Sequence, residues 1–333
     1  MINFFKFNIM TILYLPIFLY DLLLYKFLKK KNHNKSYQYL IRLYCLLGNF
    51  PNKLISFFLK EDKIKIQKKI FNRLYSNIKK EIKSIKKIGF FYKSQAIDSN
   101  TVNKIVKHLS LCEGKYESDN YKSLNFCRLN IRKPLATTFR YKSEQLLQSN
   151  EIQNLLINPE ILKFCQEYLN ACPIIDIVSS WWSFPSLNPD NYSAQMWHFD
   201  MDRPKWLKVF IFLTDCLENN GPHYFIKGSH NKIPLSIRFK GYERISEEMI
   251  LKNFSTEDIK KFTAKKGSIL IEDTSGLHKG ENVIQNSRLI LQFQYSSCLF
   301  GTNEIKKIKH PKNPTKNFIY ARKNYPKLFS NFE

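Results

Sequence analysis

Met196-Trp197-His198-Phe199-Asp200, followed by the apolar run Trp206-Leu207-Lys208-Val209-Phe210-Ile211-Phe212-Leu213-Thr214, is the stretch on which the reading of the fold turns. The run has the length and the aromatic and β-branched content of a buried strand. Beyond it, Asn220-Gly221-Pro222 reads as a turn, His223 to Ile226 as a short strand and Gly228-Ser229-His230 as a second turn. The segment Gly267 to Asp273 then reads as a strand leading to Gly276-Leu277-His278, and Arg288 to Tyr295 as the next one. Such a succession of short strands suits a jelly-roll barrel.

His198 and Asp200 stand two apart, so in an extended strand their side chains share a face. A second imidazole from a distant strand would complete two histidines and one carboxylate, the set that holds Fe(II) and leaves coordination positions open. Taken alone the pair is a weak signal, because a strand histidine is commonly a hydrogen-bonded structural residue. His223, His230 and His278 compete for the remaining position. His230 follows Gly-Ser in a turn and is expected to bond the backbone, whereas His223 could face the cavity.

Five features taken together resemble the phytanoyl-CoA dioxygenase-like branch of the Fe(II)/2-oxoglutarate oxygenases. They are His198-x-Asp200, the Asn-Gly-Pro turn with Gly228-Ser229-His230, Gly267-Ser268 before a strand, His278-x-Gly280, and Arg288 ten residues past His278. The resemblance runs from about Lys87 to Gly301 and includes a family-like opening, Ile88-Gly89-Phe90-Phe91, before a helix. It implies an α+β fold, a double-stranded β-helix (jelly-roll, cupin-like) barrel with N-terminal helices packed outside. It further implies iron held by His198, Asp200 and His278, and Arg288 paired with the far carboxylate of 2-oxoglutarate. The implied reaction uses Fe(II), 2-oxoglutarate and O2, releases succinate and CO2, and hydroxylates a small-molecule or lipid-like substrate. Relatives that halogenate carry a small residue where Asp200 stands, so halogenation is disfavoured. Two other classes stay open: a zinc-dependent hydrolase on a similar barrel, and a catalytically idle basic module that binds membrane or nucleic acid. A hydrolase has no need of Arg288 beside the metal.

Composition sets the wider frame. With 333 residues, 44% hydrophobic and 15% aromatic, the chain can bury one sizeable core and a smaller appendage. The net charge of +25 is the outlier, and it is uneven. Residues 176–300 hold 15 Lys/Arg against 14 Asp/Glu, residues 60–93 hold 12 against 3, and residues 301–333 hold 8 against 2. Basic flanks of this kind suit an anionic membrane surface, a phosphorylated substrate or nucleic acid. A genome rich in A and T, which favours Lys, Asn, Ile, Phe and Tyr, accounts for them equally well. No nucleic-acid motif accompanies the charge, so no specific nucleic acid is expected as partner. Oligomeric state is not legible.

Residues 1–31 are apolar from Ile9 to Leu28 apart from Thr11, Asp21 and Lys26, and end in Lys29-Lys30-Lys31. The length just suffices to cross a bilayer. Asp21 opposes a simple span, because an acid near a helix centre costs about 2.5–3.5 kcal/mol on insertion scales. A shallow anchor or a helix packed on the domain are the alternatives. The organisation expected is a candidate membrane anchor over 1–31, a basic helical region over 32–86, the oxygenase domain over 87–300 and a basic tail over 301–333.

Helix spacing is expected from Asn32 to Phe58 with a break at Gly48-Asn49-Phe50-Pro51. An amphipathic helix is expected from Ile66 through Ile70, Leu74, Ile78 and Ile82 to Ile85. Further helices are expected over 96–109 and over 144–168, the latter interrupted at Asn158-Pro159. Strand propensity returns from Ile174 to Phe184, where Trp181 and Trp182 point to opposite faces. The polar insertion Asn231 to Lys266, with Arg238, Gly241, Arg244 and a helix-like Ser255 to Phe262, is expected to be a lid that selects substrate. Seven cysteines without a C-x-x-C pair disfavour disulfides and zinc ribbons. Reduced cysteines suit a cytoplasmic protein, with membrane association through residues 1–31 left open.

Overall fold

In the computed structural model, residues 2–66, 74–118, 121–186, 194–240 and 244–333 are described, with side chains from residue 13 onward. The chain opens with helices α1 (Ile2–Leu28), α2 (Asn34–Leu47), α3 (Phe50–Leu59) and α4 (Ile78–Ile88), then β1 (Phe90–Lys93) and α5 (Ser99–Leu109). Short strands β2 (Glu113–Ser118), β3 (Tyr121–Lys122), β4 (Cys127–Arg128) and β5 (Thr138–Tyr141) precede helices α6 (Ser143–Leu146), α7 (Asn150–Leu156) and α8 (Pro159–Leu169). Then come β6 (Ile174–Ser183), β7 (Trp206–Phe212), β8 (His223–Ile226), α9 (Leu235–Arg238), α10 (Glu247–Asn253) and β9 (Ile259–Phe262). The last elements are β10 (Ile269–Glu272), β11 (His278–Gly280), β12 (Arg288–Ser296) and α11 (Lys316–Asn324).

Strand alternation builds two layers from these elements. The larger sheet runs β1-β10-β7-β12-β6-β5-β2-β3 with β4 on β2, and the smaller runs β11-β8-β9, all antiparallel. Leu289, Leu291, Phe293 and Tyr295 of β12, with Leu207, Val209 and Ile211 of β7, share one buried core with Ile85, Ile105, Ile152 and Phe164 of the helices. The intervening residues face the other way, as a period of two requires. There Phe212, Leu270 and Ile290 meet Phe225 and Phe262 of the smaller sheet. The jelly-roll architecture is as expected, but the sheets do not close into a barrel. Closure needs continuous pairing around the ring, and the smaller sheet offers strands of only 3, 4 and 4 residues. Beyond the ladders, isolated bridges such as His198↔His278 and Cys216↔Ala264 tie flanking segments to the sheets, and a cavity lies between the layers.

The N-terminal helices pack outside this sandwich. Phe18 of α1 lies 4.7 Å from Tyr39 of α2, and Phe18 and Tyr25 both meet Phe300 edge-on. Asp21 is buried, and its carboxylate accepts from the His33 backbone N–H at 2.6 Å and from the Ser36 hydroxyl. It thereby satisfies the open start of α2, which explains an acid in an apolar helix without lipid. Among the described residues no helix is long and apolar enough to cross a membrane.

Three local expectations are corrected. Helix α4 starts at Ile78 rather than Ile66, because the Asn77 side chain accepts from Lys80 N and caps it there, while Gln166 hydrogen-bonds both backbone groups of Ile64. Ile70 lies outside the described residues, as does Gly241 of the insertion. The segment Ser255 to Phe262 is a single 3-10 turn followed by β9, since the free edge of β8 takes it as a strand. The expected helix over 144–168 is cut a second time, at Ser149, whose hydroxyl caps α7. Residues 308–332 pack against the body of the protein: Phe318 meets Phe329 edge-on, and Asn331 donates to the Asp176 carbonyl.

Candidate metal and anion site

His198 and His278 face one another directly, each backbone N–H donating to the other's carbonyl, at 3.0 and 2.9 Å. Only a single bridge holds His198, not a ladder strand. The pairing still sets both rings on one side, with centroids 4.2 Å apart. Each Nδ1 is spent locally, on the Met196 carbonyl at 2.8 Å and on the Gly276 carbonyl at 2.9 Å. That tautomer leaves both Nε2 lone pairs pointing into the cavity, the arrangement a metal-binding histidine needs. Gly276 is required for this close approach: a Cβ there would meet the Phe225 ring at 2.6 Å and the Ser229 hydroxyl at 2.8 Å.

Asp200 completes the set. Its backbone N–H donates to Thr274, and its carboxylate oxygens stand 3.9 Å from His198 Nε2 and 3.6 Å from His278 Nε2. The three ligand atoms lie within 4.8 Å of one another, close enough for one ion to be held among them. Electrostatics leave the groups in their ligand forms. Burial pushes the His198 imidazole well below its ordinary value, with His278 adding to the effect, and burial likewise lowers His278. Burial favours a protonated Asp200, yet Lys208, His278 and His198 outweigh it and hold the carboxyl well below the usual range. Neutral imidazoles beside an ionised carboxylate fit a divalent cation.

Lys208 and Glu272 are residues that the sequence reading missed. Lys208 Nζ sits 2.6 Å from Asp200 and 3.4 Å from Asp202. Burial lowers this ammonium, but the two carboxylates override it and hold it well above the ordinary lysine range. Glu272, directly opposite Lys208 in the ladder, is fully buried with its Oε2 2.7 Å from His223 Nε2. The signal was present: a charged residue inside an apolar strand run is seldom buried without a task. His223 does line the cavity, and His230 donates from Nε2 to the Lys86 carbonyl, outside it. The loop carrying Asp200 is riveted by Arg203, whose fork meets Asp176 at 2.9 and 3.0 Å beneath the sheet.

The cavity between the sheets has a volume of about 660 Å3 and contains all three residues of the triad. Arg288 also lines it, fully enclosed by the protein. Its only hydrogen bond among the described residues runs from Nη2 to Ser183 at 3.3 Å, and its Nε has no partner. Burial lowers the guanidinium's affinity for its proton, and no described carboxylate forms an ion pair with it. Trp181 reaches the cavity while Trp182 turns into the core and donates to Tyr141, as the alternation requires. Arg140 lies over Trp181 at 5.2 Å and bonds Ser179. Tyr37 of α2 and Arg244 of the insertion complete the wall. All seven cysteines are free, and burial pushes the Cys45 thiol up to about 11 and the Cys172 thiol up to about 12.

Residues 188–288 match the family model described as "Phytanoyl-CoA dioxygenase (PhyH)". No curated protein matches the chain. Among solved structures, the non-heme alpha ketoglutarate dependent epimerase SnoN from nogalamycin biosynthesis aligns with a TM-score of 0.48 at 14% identity, over 66% of this chain and 82% of its own. HygX from Streptomyces hygroscopicus, with nickel and 2-oxoglutarate bound, aligns at 0.47 and 14%, over 72% and 92%. AviO1 from Streptomyces viridochromogenes Tue57 aligns at 0.44 and 13%, over 67% and 96%.

Proposed function

We propose, from the phytanoyl-CoA dioxygenase domain matched by residues 188–288, that this chain is an Fe(II)- and 2-oxoglutarate-dependent oxygenase that hydroxylates a small-molecule or lipid-like substrate. His198 Nε2, His278 Nε2 and an Asp200 oxygen would hold the iron, and Lys208 orients the carboxylate by pairing with its Oδ2. Arg288 receives the far carboxylate of 2-oxoglutarate, and Ser183 steadies its fork. A ferrous ion held there would supply the activation of O2, whose atoms would go one to succinate and one to the product, with CO2 released from 2-oxoglutarate. The remaining residues select and shield: Trp181 and Arg140 wall the cavity, and Arg244 brings the insertion to its mouth.

The observation that carries this reading is the buried guanidinium of Arg288, which meets no carboxylate among the described residues, in the same cavity as the triad. A buried cation without a partner is costly unless an anionic ligand completes it. A zinc hydrolase leaves that guanidinium without a purpose. The test is succinate release by anaerobically iron-loaded protein after O2 is admitted, wild type beside His198→Ala and Asp200→Ala. Turnover in the wild type that disappears in both variants supports the proposal; iron binding with no 2-oxoglutarate affinity overturns it.

The insertion is proposed as the substrate selector, but the structure changes how that is tested. Ile237, Ile245 and Ile250 pack against Trp197 and Phe199, and Ile245 N–H donates to the Trp197 carbonyl at 2.9 Å. Deleting residues 238–252 therefore removes the support under His198, and iron binding falls with it. Arg244→Ala leaves that packing in place and is the cleaner probe of selectivity.

A further inference from the structure

We propose that the outward face of α1 and α3 docks this protein, without crossing, on the surface of an anionic lipid bilayer. The proposal stands apart from the reaction above and rests on different residues. Helix α1 is apolar on both sides. Phe18, Asp21 and Tyr25 face inward and are buried, whereas Leu19, Leu23 and Phe27 face outward with 49%, 51% and 74% exposure. A solvated surface helix carries polar residues on that side. Helix α3 repeats the pattern: Ile55 and Leu59 are buried, and Phe50, Leu54 and Phe57 stand out at 64%, 55% and 70%. The two faces adjoin, since Lys26 of α1 lies 5.1 Å over the Phe58 ring and donates to the Phe58 carbonyl at 2.6 Å.

Charge identifies the occupant. Residues 1–60 contain nine Lys/Arg and a single acid, Asp21, which is buried beneath α1. Lys30, Lys31 and Lys53 are exposed beside the apolar face, and Lys60 lies 4.6 Å over Phe57. A second copy of the chain would bring two such basic faces together, and an acidic protein would leave the phenylalanines and leucines without apolar partners. An anionic bilayer meets both features at once, with the rings at the acyl boundary and the ammonium groups among the headgroups. Asp21 stays engaged with α2, which keeps α1 parallel to the protein surface and excludes a spanning arrangement of the intact fold.

The experiment is co-sedimentation of the full-length protein with vesicles of phosphatidylcholine alone or with one third phosphatidylglycerol. Wild type is expected to bind the mixed vesicles and to bind neutral ones at least tenfold less. Leu23→Gln/Phe27→Gln/Phe57→Gln is expected to abolish binding while circular dichroism and thermal melting stay unchanged. Lys30→Glu/Lys31→Glu/Lys53→Glu is expected to lose the preference for anionic lipid, each lysine near such a surface being worth roughly fivefold. Wild type that stays in the supernatant with both vesicles overturns the proposal. So does binding that survives the triple glutamine change in a folded protein, or a wild-type dimer that this change converts to monomer.

Discussion

Replacing Arg288 by Met tests the anion site from two directions. The side chain is buried, bonds Ser183 at 3.3 Å and leaves Nε unsatisfied, so among the described residues its charge is uncompensated without ligand. Methionine of similar length removes that charge without opening a cavity, and the ligand-free melting temperature should stay level or rise. Binding of 2-oxoglutarate should suffer, because losing one partner of a buried charge pair costs about 2–5 kcal/mol, or roughly 30-fold to several thousand-fold in Kd. The readout is thermal melting of nickel-loaded protein under argon with 2-oxoglutarate titrated in. At 100 times Kd the ligand should stabilise wild type by about 2.7 kcal/mol, a rise of about 5 °C for a chain of this size. Arg288→Met should show at most about a third of that rise at the same concentration, and Arg288→Lys, which keeps the charge but not the fork, should fall between. A Kd for 2-oxoglutarate unchanged in Arg288→Met, or a ligand-free melt several degrees lower, would refute the reasoning.

Other expectations concern the frame around the triad. Asp200→Ala should abolish ferrous binding in an anaerobic metal titration and, by leaving Lys208 with only Asp202 at 3.4 Å, should destabilise the metal-free protein. Adding Lys208→Met to it should recover stability but not metal. Lys208→Met alone has a pH signature. Asp200 is held below its unfolded value of about 3.9, so the ion pair's contribution is fully present at neutral pH and is lost as pH falls through the lower folded value. The melting-temperature gap between wild type and variant should be widest near pH 7 and narrow below about pH 4. Gly276→Ala should cost about 1–3 kcal/mol and weaken iron binding, since its Cβ meets Phe225 at 2.6 Å and its carbonyl holds His278 Nδ1. Arg203→Ala should cost about 3–5 kcal/mol in a denaturant melt by stranding Asp176, whose carboxylate also accepts from Ser296 at 2.7 Å.

By itself the sequence determined the strand frame and the partition of its faces. The apolar run from Trp206, the strand from Arg288 and the Trp181/Trp182 opposition all follow from a period of two, which any residue reports through its immediate neighbours. His198 with Asp200 was legible for the same reason, and the ten-residue step from His278 to Arg288 was legible through family resemblance. Tertiary structure alone decided what distant segments do to one another. Asp21 looked like a membrane problem until α2 supplied the open N–H groups it satisfies. Ser255 to Phe262 looked helical until β8 offered an edge. The sheets face each other without closing, because the smaller sheet is too short to complete the ring. Lys208, Tyr37 and Arg244 reach one cavity from segments remote in the chain, and Glu272 meets His223 on its wall. Periodicity is a local property of the backbone, whereas convergence depends on which segments pair across the fold, and no window of neighbouring residues carries that information.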